Sequence, residues 1–318
     1  MNENKEVILL KAEEESLSEA LREALKFTGF RSKGTIVIKP NICMPQYVPG
    51  AVTSPSLLYS LVGLLREKVE EVIVGESDGY NYSCNLAFKK TGIDAAVKKA
   101  GGRTLNFSKD KFVEVRFRES HVKTLILPKT LLEADALINA PVMKTHEFTI
   151  YSGAMKNLFG LIPDKKRIFL HPYLSEVLFN LFSFLKPKVA IMDALTAMEK
   201  NGPTRGTPVK TCLILSSKCP LALDIVATKI MGIDWKEINH LNYIARKVEL
   251  KEEDVKTVGY DLAKVRRKFA LPIADLPVRL QHEIFKHDFL TKTLFCNPNF
   301  IKLCQKLLVY YRKLPAAI

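Results

Sequence analysis

The chain of 318 residues has six cysteines but no C-x-x-C pair, no uninterrupted apolar run of membrane-spanning length, and 34 acids against 48 bases. Each shortage excludes something. Cys43, Cys84, Cys212, Cys219, Cys296 and Cys304 stand singly, which excludes a zinc or iron–sulfur clip of ordinary spacing and makes reduced thiols the expectation. Cys212, in the apolar run 212–215, reads as a small core residue, and Cys43, in a polar loop, as a spacer. A bilayer crossing needs about 18 or more consecutive apolar residues. The longest greasy stretch, 173–185, is broken by Ser175, Glu176, Asn180 and Ser183. Residues 1–14 are charged and lack the apolar segment of a secretory signal, so a cytoplasmic protein is expected. G-x-x-x-x-G-K-[ST], G-x-G-x-x-G after a strand and H-E-x-x-H are also missing. A nucleoside triphosphatase and a standard dinucleotide enzyme are thereby disfavoured. No internal period of 20 to 50 residues suggests a repeat array.

What is present is a globular composition, 47% hydrophobic and 26% charged. Apolar runs without polar alternation at 35–38, 72–74, 136–139, 189–192 and 211–215 predict strands buried on both faces. A strand at 6–10 and shorter ones near 103–107, 112–116 and 124–127 join them. Helical periodicity or capping signals fall at 17–27, from Pro55 through Leu65, and at 93–100, 154–161, 174–185 and 222–231. Strands alternating with helices predict an α/β fold, a mostly parallel twisted sheet with flanking helices, over residues 1–250. Residues 251–318 are expected to form a basic, mainly helical C-terminal extension. Within it, 261–318 holds eleven Lys and Arg against four Asp and Glu, +7 of the chain's net +14. Phe300, Leu303, Cys304, Leu307, Tyr311 and Leu314 are spaced for one helix face, with Lys302, Lys306, Arg312 and Lys313 elsewhere. Leu303, Leu307 and Leu314 are expected to pack on the core.

In such sheets, ligands collect at the carboxyl ends of the strands. Strand ends here deliver Lys39 and Asn41, Glu76 and Asp78, Asn139, Lys144 and His146, and Asp193. Thr53 and Ser54, at the start of the helix after Lys39, and the Ser152-Gly153 pair before Lys156 and Asn157, offer backbone N–H groups suited to an anion. The expected function is therefore an enzyme acting on a small anionic metabolite that bears phosphate or carboxylate. His146, Lys156 and Asp193 are the candidate catalytic groups, with His146 as acid and base and Asp193 orienting it or holding a metal. Lys39, Asn41, Thr53, Ser54, Asp78, Lys144, Asn157 and His171 are the candidate substrate-binding groups. The donor set leaves room for a divalent metal but specifies none. Asp224, ahead of Ile225 and Val226, reads as either a cleft acid or a helix-start acid.

Two other classes remain open. A basic tail containing Tyr310 and Tyr311 suits nucleic acid, and an amphipathic last helix suits an anionic membrane surface or a partner. Richness in Lys and Glu also marks proteins that work at high temperature.

The motifs, in order, resemble those of the DUF362 family of uncharacterised prokaryotic proteins. The similarity runs from about residue 35 to 234. It rests on Val-Ile-Lys39-Pro-Asn41, Pro49-Gly-Ala-Val-Thr53, Gly75-Glu-Ser77, Ala134-Asp-Ala-Leu-Ile-Asn139 and Pro141-Val-Met-Lys-Thr-His146. It continues through Gly153-Ala-Met-Lys-Asn-Leu-Phe-Gly160, His171, Asp193, Asn201-Gly-Pro203, Asp224 and Met231-Gly232. The resemblance places Lys39, Asn41, Lys144, His146, Lys156, Asn157 and Asp193 on the family's motifs and assigns them no role. Many members carry a ferredoxin-type cysteine segment. This sequence lacks it, so no iron–sulfur cluster or electron-transfer role is expected. Gly153-Ala-Met-Lys156 is also similar to a segment of lactate-racemase-like proteins, over too few residues to imply a cofactor.

Overall fold

The structure, a computed structural model, describes residues 5–295 (backbone alone at 165 and 166), with Asn297, Phe300, Leu303, Cys304, Lys306 and Leu307 beyond them. The chain opens with β1 (Glu6–Lys11) and α1 (Leu17–Phe27). β2 (Thr35–Pro40) is followed by α2 (Pro55–Arg66), and β3 (Glu71–Glu76) by α3 (Cys84–Thr91), α4 (Ile93–Lys99) and β4 (Arg103–Asn106). β5 (Phe112–Arg116) and β6 (Thr124–Pro128) form a separate antiparallel ribbon, and α5 (Lys129–Glu133) leads to β7 (Ala136–Ala140). Then come β8 (Val142–His146), β9 (Ile150–Ser152), α6 (Ala154–Asn157), 3-10 turns at Leu158–Leu161 and Lys165–Tyr173, and α7 (Leu174–Leu185). The long hairpin of β10 (Val189–Glu199) and β11 (Thr207–Ser217) precedes α8 (Pro220–Ile230), α9 (Asn239–Lys247) and β12 (Lys256–Gly259). The last described elements are α10 (Leu262–Val265), α11 (Leu276–Phe285) and α12 (Asp288–Phe295).

The main sheet runs β12-β1-β11-β10-β7-β2-β3-β4. β10, β7, β2, β3 and β4 are mutually parallel, β12 is parallel to β1, and β11 is antiparallel to both its neighbours. The uninterrupted Val and Ile runs are covered on both sides. Ile36, Ile38, Val72 and Val74 face α1 and α2; Val37, Ile73, Leu137 and Met192 face α7, α8 and α9. Each such side chain contributes roughly 1.5–3 kcal/mol of burial. From β2 the chain builds outward to β3 and β4, then crosses back to lay β7 on the other side of β2. The strand order therefore reverses between β2 and β7, the position where an open α/β sheet leaves a crevice.

Three local expectations change. Residues 142–146, expected only as the segment following the strand at 136–139, form a strand themselves. Pro141 has no N–H to give a ladder, so β7 stops there, and β8 takes up pairing further along β10, Val142 with Asp193 and Lys144 with Met198. β12 lies beyond the expected boundary at 250 and pairs with β1 in the main sheet. In the extension, Phe269, Val278 and Phe285 are buried, but Leu303 and Leu307 are 53% and 57% exposed, so they do not pack on the core. Cys296, Lys302, Tyr310, Tyr311, Arg312, Lys313 and Leu314 lie outside the described residues.

Among the described residues one helical run, Arg167–Leu185, is long and apolar enough to cross a membrane by length and composition alone. It includes His171, Pro172 and Glu176, and its Val177, Leu178, Leu181 and Phe182 are buried in the core.

Candidate functional site

The crevice between β2 and β7 is closed by side chains that the strand register delivers. Lys39 lies opposite Asn139 across β2 and β7, and Glu76 ends β3 on the other flank of β2. Lys39 Nζ meets Glu76 Oε2 at 2.6 Å, with the two side chains 1% and 4% exposed. Burial lowers the Lys39 pKa, and the neighbouring Glu76 partly restores it. Asn157 Nδ2 donates to Asn139 Oδ1 at 2.7 Å and to the Lys39 carbonyl at 3.2 Å, and Asn139 Nδ2 donates to the Ala154 carbonyl at 2.7 Å. These bonds sew α6 to the ends of both strands. Gly160 lets the following turn close over the ion pair: a Cβ there would lie 2.7 Å from Glu76 Oε1 and 2.9 Å from Lys39 Nζ.

A carboxylate from α8, in the same helical layer, fixes the direction of α6. Asp224, on α8, accepts the N–H groups of Ala154 and Met155 at 2.7 and 2.8 Å and the Tyr151 hydroxyl at 2.9 Å. Burial pushes Asp224 up to about 7 despite these donors. The Ser152-Gly153 turn, read from the sequence as an anion cradle, is therefore not one. Its helix-start N–H groups are occupied, and a Cβ on Gly153 would fall 2.0 Å from the Tyr151 oxygen.

So anchored, α6 projects Lys156 at His146, with Nζ and Nε2 2.8 Å apart. The other ring nitrogen, His146 Nδ1, accepts the Phe148 N–H at 3.1 Å. His146 is held well below its usual pKa, first by burial and then by Lys156 and Lys144, so the ring is neutral. A neutral ring accepting at Nδ1 carries its proton on Nε2. That N–H points at Lys156, which must supply a lone pair to complete the bond. The geometry thus calls for a free amine at Lys156 rather than an ammonium. Independently, burial and the neighbouring Lys144 lower the Lys156 pKa to about 7.

Lys39, Asn41, Lys144, His146, Lys156 and Asn157 all line one cavity of about 170 Å³, with Glu76, Cys43, Tyr82, Ser152 and Arg167. Lys144 Nζ donates to the Ala51 carbonyl at 2.5 Å and to Cys43 Sγ at 3.4 Å, and burial lowers its pKa. Arg167 donates to the Ile162 carbonyl at 2.8 Å and pairs with no acid among the described residues. Its guanidinium brings a positive charge to the cavity wall.

The remaining sequence candidates are placed elsewhere or spent on structure. Asp193 does not orient His146. Its carboxylate accepts the Ser54 N–H at 2.7 Å and the Leu195 N–H at 3.2 Å, pinning the start of α2 to β10, and it borders a separate cavity of about 410 Å³ beside Glu13, Glu14 and Tyr47. Burial raises its pKa. Ser54 caps α2 by accepting the Leu57 N–H, and Thr53 bridges the Asn41 N–H and the Ala140 carbonyl. Asp78 holds the turn into α3, accepting from Cys84 N–H and Asn106. His171 stacks on Phe285 at 4.5 Å and lines a third cavity of about 700 Å³ with Phe148, Tyr173, His240 and Tyr243.

Arg167 and His240 were missed. Arg167 follows Lys165 and Lys166 in what reads as a solvated basic run, and His240 is a lone helix histidine. No linear signal marks either as inward-facing. Among the described residues no three His, Cys, Asp or Glu side chains are grouped to hold a metal.

Residues 36–229 match the family described as Domain of unknown function (DUF362), more than half of the chain. The chain belongs to the DUF362 family. All the residues named for the 170 Å³ cavity lie within the matched DUF362 segment. A thylakoid-associated protein of Synechocystis sp. is 27% identical over 214 residues, which is 63% of this chain and 63% of that protein's length. This DUF362 chain therefore spans less than two thirds of that relative. Among solved structures, the lactate racemase apoprotein from Thermoanaerobacterium thermosaccharolyticum is similar over 71% of this chain and 57% of its own, at TM-score 0.48 and 13% identity. A protein from Thermotoga maritima is similar over 74% and 60%, at TM-score 0.38 and 15% identity. Both are partial likenesses of shape.

Proposed function

We propose that the crevice between β2 and β7 binds a small anionic metabolite, and that Lys156 and His146 perform chemistry on it. The carrying observation is the chain of contacts from the Phe148 N–H through His146 to Lys156, which fixes an imidazole N–H donor against an amine lone pair. Arg167 and Lys144 supply the charge that holds the anion, while Lys39 is neutralised by Glu76 and serves to shape the wall. Asn41 and Asn157 complete the lining. A free amine beside a donor is an acid–base pair that operates near neutral pH without a carboxylate. The test is calorimetric titration with inorganic phosphate, acetate and pyruvate. One saturable site per chain, lost in Arg167→Leu at unchanged melting temperature, is expected. No saturable binding by any of the three would contradict the proposal.

A second reading concerns where the protein sits, and a separate observation favours it. Ile273, Leu276, Leu280 and Phe289 are 75%, 67%, 61% and 75% exposed, on and beside α11 and α12, in the part of the chain that carries a net +7. Large apolar side chains beside basic charge suit an anionic bilayer surface, and the Synechocystis relative is named for its association with thylakoids. Flotation with phosphatidylglycerol vesicles, but not phosphatidylcholine vesicles, is expected, with loss in the double variant Leu276→Ser, Leu280→Ser. Equal recovery with both lipids, or none with either, would count against surface attachment.

A further inference from the structure

The surroundings of Lys156 bear on which chemistry its lone pair performs. A general base ends its step as a cation. Lys156 would then become an ammonium in a small cavity that already holds Lys144 and Arg167, and facing an imidazole N–H. Addition to a carbonyl makes no such demand, because a neutral amine and a neutral carbonyl give a neutral imine and water. The same cations that oppose a protonated base stabilise the negative oxygen formed when an amine adds to C=O. The cavity of about 170 Å³ admits a ligand on the order of six heavy atoms. The fork of Arg167 matches a carboxylate in plane and charge.

We propose that Lys156 condenses with the carbonyl carbon of a small oxo acid, whose carboxylate is held by Arg167 and Lys144, to form an imine. This rests on the reading of the crevice as an anion site and adds the identity of the reactive group. The nitrogen lone pair forms the C–N bond while the C=O π pair moves to oxygen. Both nitrogen protons end on the oxygen: the first moves to the alkoxide to give the carbinolamine hydroxyl, and His146 Nε2–H, 2.8 Å from the nitrogen, then protonates that hydroxyl as it leaves and recovers the second proton from the nitrogen as C=N closes. Amine plus oxo acid become imine plus one water, with no oxidant or metal required. The Phe148 N–H on Nδ1 keeps the transferable proton on the side facing Lys156.

The test is reductive trapping. The full-length protein is incubated at pH 7 with cyanoborohydride and, separately, glyoxylate, pyruvate or 2-oxobutyrate, then mapped by peptide mass spectrometry. At least one of these should leave a single reduced adduct on Lys156, exceeding that on any other lysine roughly tenfold or more, since ordinary lysines are almost wholly protonated at that pH. Acetate, which has the carboxylate but no reactive carbonyl, should suppress trapping. Lys156→Met should abolish it, and His146→Asn should slow it roughly a hundredfold. The wild-type peptide map decides the matter even where a variant fails to fold. Saturable calorimetric binding of an oxo acid, lost in Arg167→Leu, with no adduct on Lys156 would overturn the imine and leave the anion site standing. Neither binding nor adduct would remove both.

Discussion

At the scale of single residues, the site depends on which buried charges are paired. Lys39 and Glu76 form an ion pair at 2.6 Å with almost no solvent contact. Removing one partner strands the other, and Glu76→Gln is expected to destabilise the fold by about 3–5 kcal/mol in urea denaturation. The double replacement Lys39→Met, Glu76→Gln should recover most of that loss. A change below about 1 kcal/mol for the single variant would show that Lys39 is not held as a buried cation. Residues on parallel strands were legible in the sequence because register alone carries Lys39, Asn139 and Glu76 to one end of the sheet. Arg167 and His240 were not, since each reaches its cavity only through packing of distant elements. The carboxylates misled for a definite reason. Asp193 and Asp78 do follow strands, but chain turns and helix starts need acceptors in the same places that ligands do, and both are consumed by local N–H groups.

At the scale of elements, α6 is a single turn that no propensity could hold, and it stands because Asp224 satisfies its first N–H groups while Asn139 takes the Ala154 carbonyl. Asp224→Asn puts an amide in a position facing three donors, so at least one is left unpaired in the interior. A loss of about 2–4 kcal/mol is expected, together with the loss of anion binding, since Lys156 rides on this turn. Stability within about 0.5 kcal/mol of wild type would mean that α6 is held otherwise. The helices around the sheet, and α7 among them, followed their apolar spacing closely. β8 did not, because a five-residue strand directly after a proline reads as a strand's exit rather than a new strand. The packing face expected of the last helix failed at Leu303 and Leu307, where helical spacing exists without a core to receive it.

At the scale of the whole molecule, the buried lysines set how stability varies with pH. Lys39, Lys144 and Lys156 all have folded pKa values lowered from 10.5, Lys156 to about 7. A lowered folded value means that the unfolded chain binds the proton more readily, so stability is full above the unfolded value and is lost as pH falls toward the folded one. Stability should therefore rise between pH 7.5 and 9.5, by up to about 1 kcal/mol per pH unit from Lys156 after allowance for its partial exposure. Urea midpoints across that range measure it. Lys156→Met should flatten the slope, and a wild-type slope of zero or of opposite sign would contradict the assignment.

The most direct measurement of the central claim is the pH dependence of Lys156 acetylation, read by competitive labelling with trace acetic anhydride and peptide mass spectrometry. Half-maximal reactivity near pH 7 at Lys156, against about 10 to 10.5 at surface lysines in the same sample, is the result expected of a free amine held beside the His146 N–H. A Lys156 midpoint among those of the surface lysines would mean an ordinary ammonium, and the crevice would lose its reactive group.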